Sequence, residues 1–371
     1  MTNDVCFFLR LCLLATLVLL TSACTATMPA RIDGSTVRFY SDDLRLAEHL
    51  TVQGWRTPED GTFDVLALSG GGQNGAFGAG VLGGWTSRGD RPVFDHVTGV
   101  STGALIAPFA YLGSDWDDEL RAAYLDERTS YLMRRRLLVG LFSSSMFSGR
   151  PLLNLVDSYV TQELVDAVAR ESLSGRTLIV VTTDLEQERS VAWDMGAIAR
   201  TGGEPARRMF RDVLLASASI PGMFPPVLID AGEGMETHVD GGISSPIYAV
   251  PEALADIAGE HLGVTGPVRI FMIANISTAP VPRATGLSTF NILQRSLILS
   301  GKASMRSTLQ MNALVANRYG AEFRLISIPA GQSAPITEFS LSSMTQIYEL
   351  GFEMGAGGKW RSEIIEKQGW E

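Results

Sequence analysis

The sequence predicts an α/β fold with a mostly parallel central sheet and helices on both faces. Two observations carry this. Apolar runs rich in Val and Ile recur at Asp64–Ser69, Val97–Val100, Thr177–Thr182, Val268–Ile276 and Phe323–Ile328, with helical stretches between them, and that alternation builds parallel sheets. The first two runs lead straight into glycine-framed turns that open helices, Gly70–Gly75 and Gly99–Gly103. From about residue 62 the chain supplies about 310 residues, ample for a core and large for one domain.

The first residues have a different character. Cys6 through Leu20 is almost wholly apolar, broken mainly by Arg10, and ends in Leu20-Thr21-Ser22-Ala23-Cys24. This is expected to be a secretory leader over 1–23. Small residues leading into cysteine resemble a bacterial lipobox, cut before Cys24 so that its thiol and new amine carry lipid. Cys6, Cys12 and Cys24 are the only cysteines, so the mature chain would keep one, unpaired and at its N-terminus, where a disulfide has no partner. Several acyl chains on one residue give firm attachment. Thr25 follows instead of Asp, which resembles the outer-membrane sorting class. The expected location is the bacterial cell envelope, lipid-anchored through Cys24. Residues 24–61, polar and with few periodic apolar positions, read as a tether.

The segment Ser69-Gly70-Gly71-Gly72-Gln73-Asn74-Gly75 follows the run Phe63–Leu68 and opens a small-residue helix from Ala76. Successive glycines let backbone N–H groups converge on negative charge, as an oxyanion requires. Gly70-x-Gly72-x-x-Gly75 also matches a dinucleotide fingerprint. In that fold an acid closes the second strand, whereas Asp90 and Asp95 precede the next apolar run, which delivers Ser101. In Gly99-Val100-Ser101-Thr102-Gly103 the serine has glycine two positions away on each side, as a nucleophile on a tight strand-to-helix turn needs. A helix follows through Tyr111, with Pro108 expected to kink it. Ser101 at its start feels the positive end of the helix dipole, which favours an alkoxide.

Tyr131–Phe142 sets Arg134, Arg135 and Arg136 beside an apolar run. Such a stretch reads first as a helix with its arginines in water; dipping into a lipid surface is the other use. Farther on, Thr237-His238-Val239-Asp240-Gly241-Gly242 holds a carboxylate before a glycine turn, which can serve as a base if the fold brings it to the serine. Of the four histidines, His261 could complete a Ser-His-Asp triad with Asp240 or Asp256 in the chain order of the α/β hydrolases. It lies in a glycine-flanked loop. His238 sits two residues before Asp240 and reads as packed or surface.

These three motifs, in this order, resemble the patatin-like phospholipases: a Gly-rich oxyanion loop at Gly70–Gly75, a Gly-x-Ser-x-Gly elbow at Gly99–Gly103 and an Asp-Gly-Gly turn at Asp240–Gly242. Val181–Leu185 and Ala216–Pro226 resemble the same family, so the likeness covers roughly Asp64 to Pro251. It implies a Ser–Asp dyad with no histidine: Ser101 attacks the ester carbonyl, Asp240 takes its proton, and the oxyanion is held by Gly71 and Gly72, with Gly70 and Asn74 beside them. Many members carry a basic residue where this chain has Asn74, leaving stabilisation here to backbone amides and a neutral side chain. The implied substrate is a lipid or phospholipid ester, and no cofactor is expected.

On this reading residues 62–255 form the catalytic domain and 256–371 complete the same fold. The helix-like Leu287–Tyr319 and Ser343–Gly355 would cover it or form a lid or dimer surface. The net charge of −10 argues against attraction to nucleic acid or anionic lipid as a main binding force. No Cys/His spacing suggests a metal. A catalytically silent envelope lipoprotein serving as an interaction module is the alternative function.

Overall fold

The structure, a computed structural model, describes residues 36–53, 58, 60–128, 148–232, 234–249, 266–280, 282, 284–335 and 339–362. The leader, Cys24, Tyr131–Phe142, Asp256 and His261 lie outside the described residues. In chain order the elements are β1 (Arg38–Tyr40), α1 (Leu44–Gln53), β2 (Phe63–Leu68), α2 (Gly75–Arg88), β3 (His96–Val100), α3 (Thr102–Leu112) and α4 (Asp117–Tyr124). There follow α5 (Arg150–Tyr159), α6 (Gln162–Ser172), β4 (Thr177–Asp184), β5 (Arg189–Asp194), α7 (Met195–Arg200) and α8 (Gly203–Ser217). The last are β6 (Val227–Asp230), β7 (Met235–Asp240), β8 (Val268–Ala274), α9 (Thr289–Arg318), β9 (Glu322–Ser327) and α10 (Leu341–Ala356).

Among the described residues nine strands form one sheet, with β1-β5-β4-β3-β2-β8-β9 as its main order. The block β4-β3-β2-β8-β9 is parallel throughout. Antiparallel pairs close one side, where β5 joins β4 and β1, while β7 pairs with both β4 and β6. The α/β reading therefore holds, and the C-terminal strands extend the same sheet, with β8 beside β2.

Every residue of β2, β3 and β4 is buried, as parallel strands covered on both faces require. Their side chains alternate between two cores. Leu66, Leu68, Val97 and Val180 pack under α2, α3, α6 and α8, whereas Phe63, Val65, Ala67 and Val181 face α1 and α9. Helix α2, which begins at the end of the Gly-rich loop, is clamped by α10. A Cβ on Gly80 would lie 2.0 Å from the Tyr348 carbonyl and one on Gly355 2.2 Å from that of Val81, so glycines let these backbones touch.

The tether expected over 24–61 is corrected from residue 36 onward. β1 pairs with β5 through Arg38↔Trp193 and Tyr40↔Val191, and Leu46 and Leu50 of α1 are fully buried. One strand residue and a single i, i+4 pair suffice to dock these elements, so the few apolar positions gave little periodic signal.

Candidate active site

The sheet register brings the two sequence-predicted reactive groups together. β3 and β4 run side by side as far as Val100↔Val181. β4 continues three residues beyond, and β7 pairs with that extension, beginning at Thr182↔Asp240. Chain leaving β3 and chain ending β7 thus meet on one edge of β4. There Ser101 Oγ donates to Asp240 Oδ2 at 2.5 Å, across 139 positions of sequence.

Ser101 has φ +56° and ψ −124°, a left-handed conformation costly for a residue with a side chain. The turn is tight because a Cβ on Gly99 would sit 2.5 Å from the Gly103 carbonyl, and one on Gly103 2.3 Å from that of Leu68. What holds the strained residue is Ser217, at the end of α8. Its Oγ accepts the Ser101 N–H at 2.9 Å and donates to the Val181 carbonyl at 2.6 Å. Helix α3 then runs on through Pro108.

Asp240 is buried at the end of β7. Its N–H donates to the Ser219 carbonyl at 2.9 Å, and its Oδ1 accepts the Gly242 N–H at 2.7 Å. Burial pushes its carboxyl up to about 6; the Ser101 hydroxyl and the Gly242 N–H pull the other way. Gly241 lies against β4, where a Cβ would meet the Val181 carbonyl at 2.2 Å.

The Gly-rich loop leaves β2 beside Ser101: a Cβ built on Gly70 would be 3.2 Å from the Ser101 Cβ. Gly72 has φ +57°, and Gly75 opens α2. Among the described residues the N–H groups of Gly71 and Gly72 make no hydrogen bond, so both are available. Gly70 and Asn74 are different, and their expected oxyanion roles are corrected. The Gly70 N–H donates to the Pro246 carbonyl at 3.1 Å and the Asn74 N–H to that of Gly71 at 3.2 Å. Asn74 Nδ2 donates to the carbonyls of Ala334 (3.0 Å) and Gly71 (3.3 Å), and its Oδ1 accepts the Ala334 N–H at 2.9 Å. Asn74 ties the loop to the chain before α10 and has no amide proton left for a substrate.

Asn275 is a further fastener that the sequence reading missed. It follows β8, fully buried. Its Oδ1 accepts the Gly78 N–H at 2.9 Å, its Nδ2 donates to the Ser69 carbonyl at 2.8 Å, and its own N–H donates to Ser69 Oγ at 2.8 Å. The signal was one polar residue ending the run Phe271–Ala274. Tyr124 was missed as well; its hydroxyl reaches Thr102 Oγ1 at 2.6 Å and the Thr102 carbonyl at 2.8 Å. Ser217 lies inside the Ala216–Pro226 stretch, for which the sequence suggested no individual role.

The described histidines bond elsewhere. His49 meets Asp194 at 2.8 Å, and His96 meets Thr177 at 2.5 Å. His238 is packed, as expected, between Thr182 and Glu236, 3.0 Å from each.

Ser101 opens into a cavity of about 90 Å³ on the face of the sheet covered by α2, α3, α6 and α8. Its walls include Leu105, Leu152, Val156, Leu214, Phe224 and Met344, an almost wholly apolar lining suited to an alkyl chain.

An elbow serine beside a buried carboxylate, opening on an apolar slot, belongs to an enzyme class that acts on acyl groups of lipids. The family profile described as patatin-like phospholipase matches residues 66–253, from within β2 to beyond β7. The chain belongs to the patatin-like phospholipase family and is a lipid acyl hydrolase. Among solved structures, VipD from Legionella pneumophila is similar over 81% of this chain and 67% of its own, with 14% identity and a TM-score of 0.42. A search of curated proteins finds no match.

Proposed function

We propose that the protein cleaves lipid carboxylic esters through an acyl-enzyme on Ser101, with Asp240 as the base. The observation that carries this reading is the 2.5 Å hydrogen bond from Ser101 Oγ to Asp240 Oδ2, set beside the unbonded N–H groups of Gly71 and Gly72. Asp240 takes the hydroxyl proton as Oγ bonds to the carbonyl carbon. The carbonyl electron pair moves onto oxygen, where the two N–H groups stabilise it. Collapse expels the alcohol, which receives the proton from Asp240. Water, deprotonated by Asp240, then releases the fatty acid and restores Ser101. The acyl chain occupies the slot between Leu152 and Phe224.

The proposal extends to location: the mature chain is anchored in the cell envelope by lipid on Cys24, from the lipobox-like Leu20–Cys24. Incorporation of labelled fatty acid, lost in Cys24→Ala, tests that part. The chemistry is tested by hydrolysis of a short-chain nitrophenyl ester. Turnover is expected in the parent and absent from Ser101→Ala and Asp240→Asn, while His238→Gln keeps it. Equal activity in parent and Ser101→Ala would reject Ser101 as nucleophile, and no turnover in the parent would return the interaction-module reading.

A further inference from the structure

From His261 to Ala321 the chain carries Arg269, Arg283, Arg295, Lys302, Arg306 and Arg318 and no Asp or Glu, within a protein of net charge −10. Helix α9 lies inside this stretch. It is also out of proportion to its neighbours. Its 30 residues extend about 45 Å at 1.5 Å per residue, whereas the strands it connects, of 7 and 6 residues, extend about 20 Å.

As the crossover between the parallel neighbours β8 and β9, α9 runs antiparallel to them over one face of the sheet. Among the described residues its buried side chains lie in the later part: Met305, Leu309 and Ala316 pack against that face. Lys302 Nζ and an Arg306 nitrogen each lie 3.4 Å from carbonyls just past the end of β8, those of Ala279 and Thr278. The helix therefore crosses the edge of the sheet near residue 302, and residues 289–301 project beyond it by about 20 Å. None of the side chains described from Thr289 to Ser304 is buried. The edge it passes is the one that carries Ser101 and the Gly-rich loop, because these leave the same ends of β3 and β2.

The projecting part is apolar and cationic at once. Leu287 is 91% exposed, Leu293 58% and Leu297 55%, with Ile292 and Leu299 also exposed. Between the leucines on the outward face stand Ser296, Ser300 and Ala303, with no charge. At 100° per residue Arg295, Lys302 and Arg306 fall on one flank. An exposed apolar face flanked by cations, on a helix whose own sequence holds no acidic residue, is the pattern of a helix that lies in a lipid interface. Among the described residues no helix is long and apolar enough to cross a membrane, so this is docking at a surface. A second copy is the poorer occupant, since two-fold pairing would set the cation rows of the two copies near each other.

We propose that the N-terminal half of α9, with Leu287, docks on a lipid surface bearing anionic headgroups. The leucines enter the interface, the cationic flank meets the headgroups, and the edge carrying Ser101 is brought against lipid. Its use to the enzyme rests on the lipid-ester reading above; its test does not.

The test uses the full chain with Ser101→Ala, so that no turnover is involved and an inert Ser101 in the ester assay leaves the outcome unaffected. Tryptophan is placed at Leu297→Trp or, as control, at Leu173→Trp. Leu173 is 75% exposed and lies between α6 and β4, at the opposite edge of the sheet. Vesicles of brominated phosphatidylcholine with phosphatidylglycerol are added, and quenching is read against the chain without either tryptophan. The added tryptophan at 297 should be quenched at least twice as strongly as that at 173, and less when phosphatidylglycerol is omitted. Equal quenching at the two positions, or no dependence on the anionic lipid, would overturn the proposal. So would self-association in lipid-free buffer that Leu293→Ser with Leu297→Ser abolishes, because the face would then belong to a second copy.

Discussion

The Asp240 carboxylate receives the Ser101 hydroxyl on one oxygen and the Gly242 N–H on the other, inside a site dry enough to push its pKa up to about 6. A base must be ionised to act. The expected kcat/KM for a neutral short-chain ester rises with unit slope as pH increases toward about 6 and is flat above it. A profile in the parent that stays flat from pH 4 to 8 would contradict Asp240 as the base.

The same burial makes Asp240 a liability to the fold. The folded carboxyl holds its proton more tightly than the unfolded one, whose reference value is 3.8. The folded state therefore binds more protons between 3.8 and about 6. This group's contribution to stability is full below that window and is lost as pH rises through it. Asp240→Asn keeps the acceptor for Gly242 and removes the charge. It should be more stable than the parent at pH 8 by on the order of 1–3 kcal/mol, a rise of a few degrees in Tm, with the advantage shrinking toward pH 4. Thermal unfolding at both pH values checks this, and a less stable variant at pH 8 contradicts it.

Asn74 and Asn275 fasten the Gly-rich loop from two sides. In Asn275→Ala the Gly78 N–H and the Ser69 carbonyl lose their partners, which should cost about 2–4 kcal/mol. Asn74→Ala should also lower Tm, with turnover reduced less than tenfold. A true oxyanion donor would cost about 10²–10³ in kcat, so a loss of that size in a folded Asn74→Ala protein would restore the role its geometry denies.

Ser217 holds the Ser101 N–H while the serine sits at φ +56°. Ser217→Ala leaves that N–H and the Val181 carbonyl unpaired. Steady-state kinetics should show kcat falling about tenfold with KM little changed, because the substrate slot is untouched while the nucleophile relaxes.

The reach of the sequence followed the range of each signal. Gly99, Ser101 and Gly103 were legible because a strained elbow demands glycine at fixed spacing, and β2 and β4 because strands buried on both faces carry apolar runs, Val65–Leu68 and Leu178–Val181. Pairing Ser101 with Asp240 needed the family resemblance, since the register in which β4 outruns β3 is set by strands far apart in the chain. Asn74 was assigned by position, yet its partner Ala334 lies 260 residues away, beyond any local pattern. Asn275 and Ser217 are single polar residues ending apolar elements, a feature that becomes informative only once the neighbouring backbone is in place. β1 and α1 were hidden for another reason: each presents only a few apolar residues to the core.

In the proposed reaction Ser101 becomes covalently acylated with Asp240 as its base. Peptide mass spectrometry after treatment with a fluorophosphonate, which traps an activated serine, reads this step at the residue itself. One adduct is expected, on the peptide carrying Ser101, absent from Ser101→Ala and strongly reduced in Asp240→Asn. An adduct on another residue, or equal labelling of Ser101 when Asp240 is replaced, would contradict it.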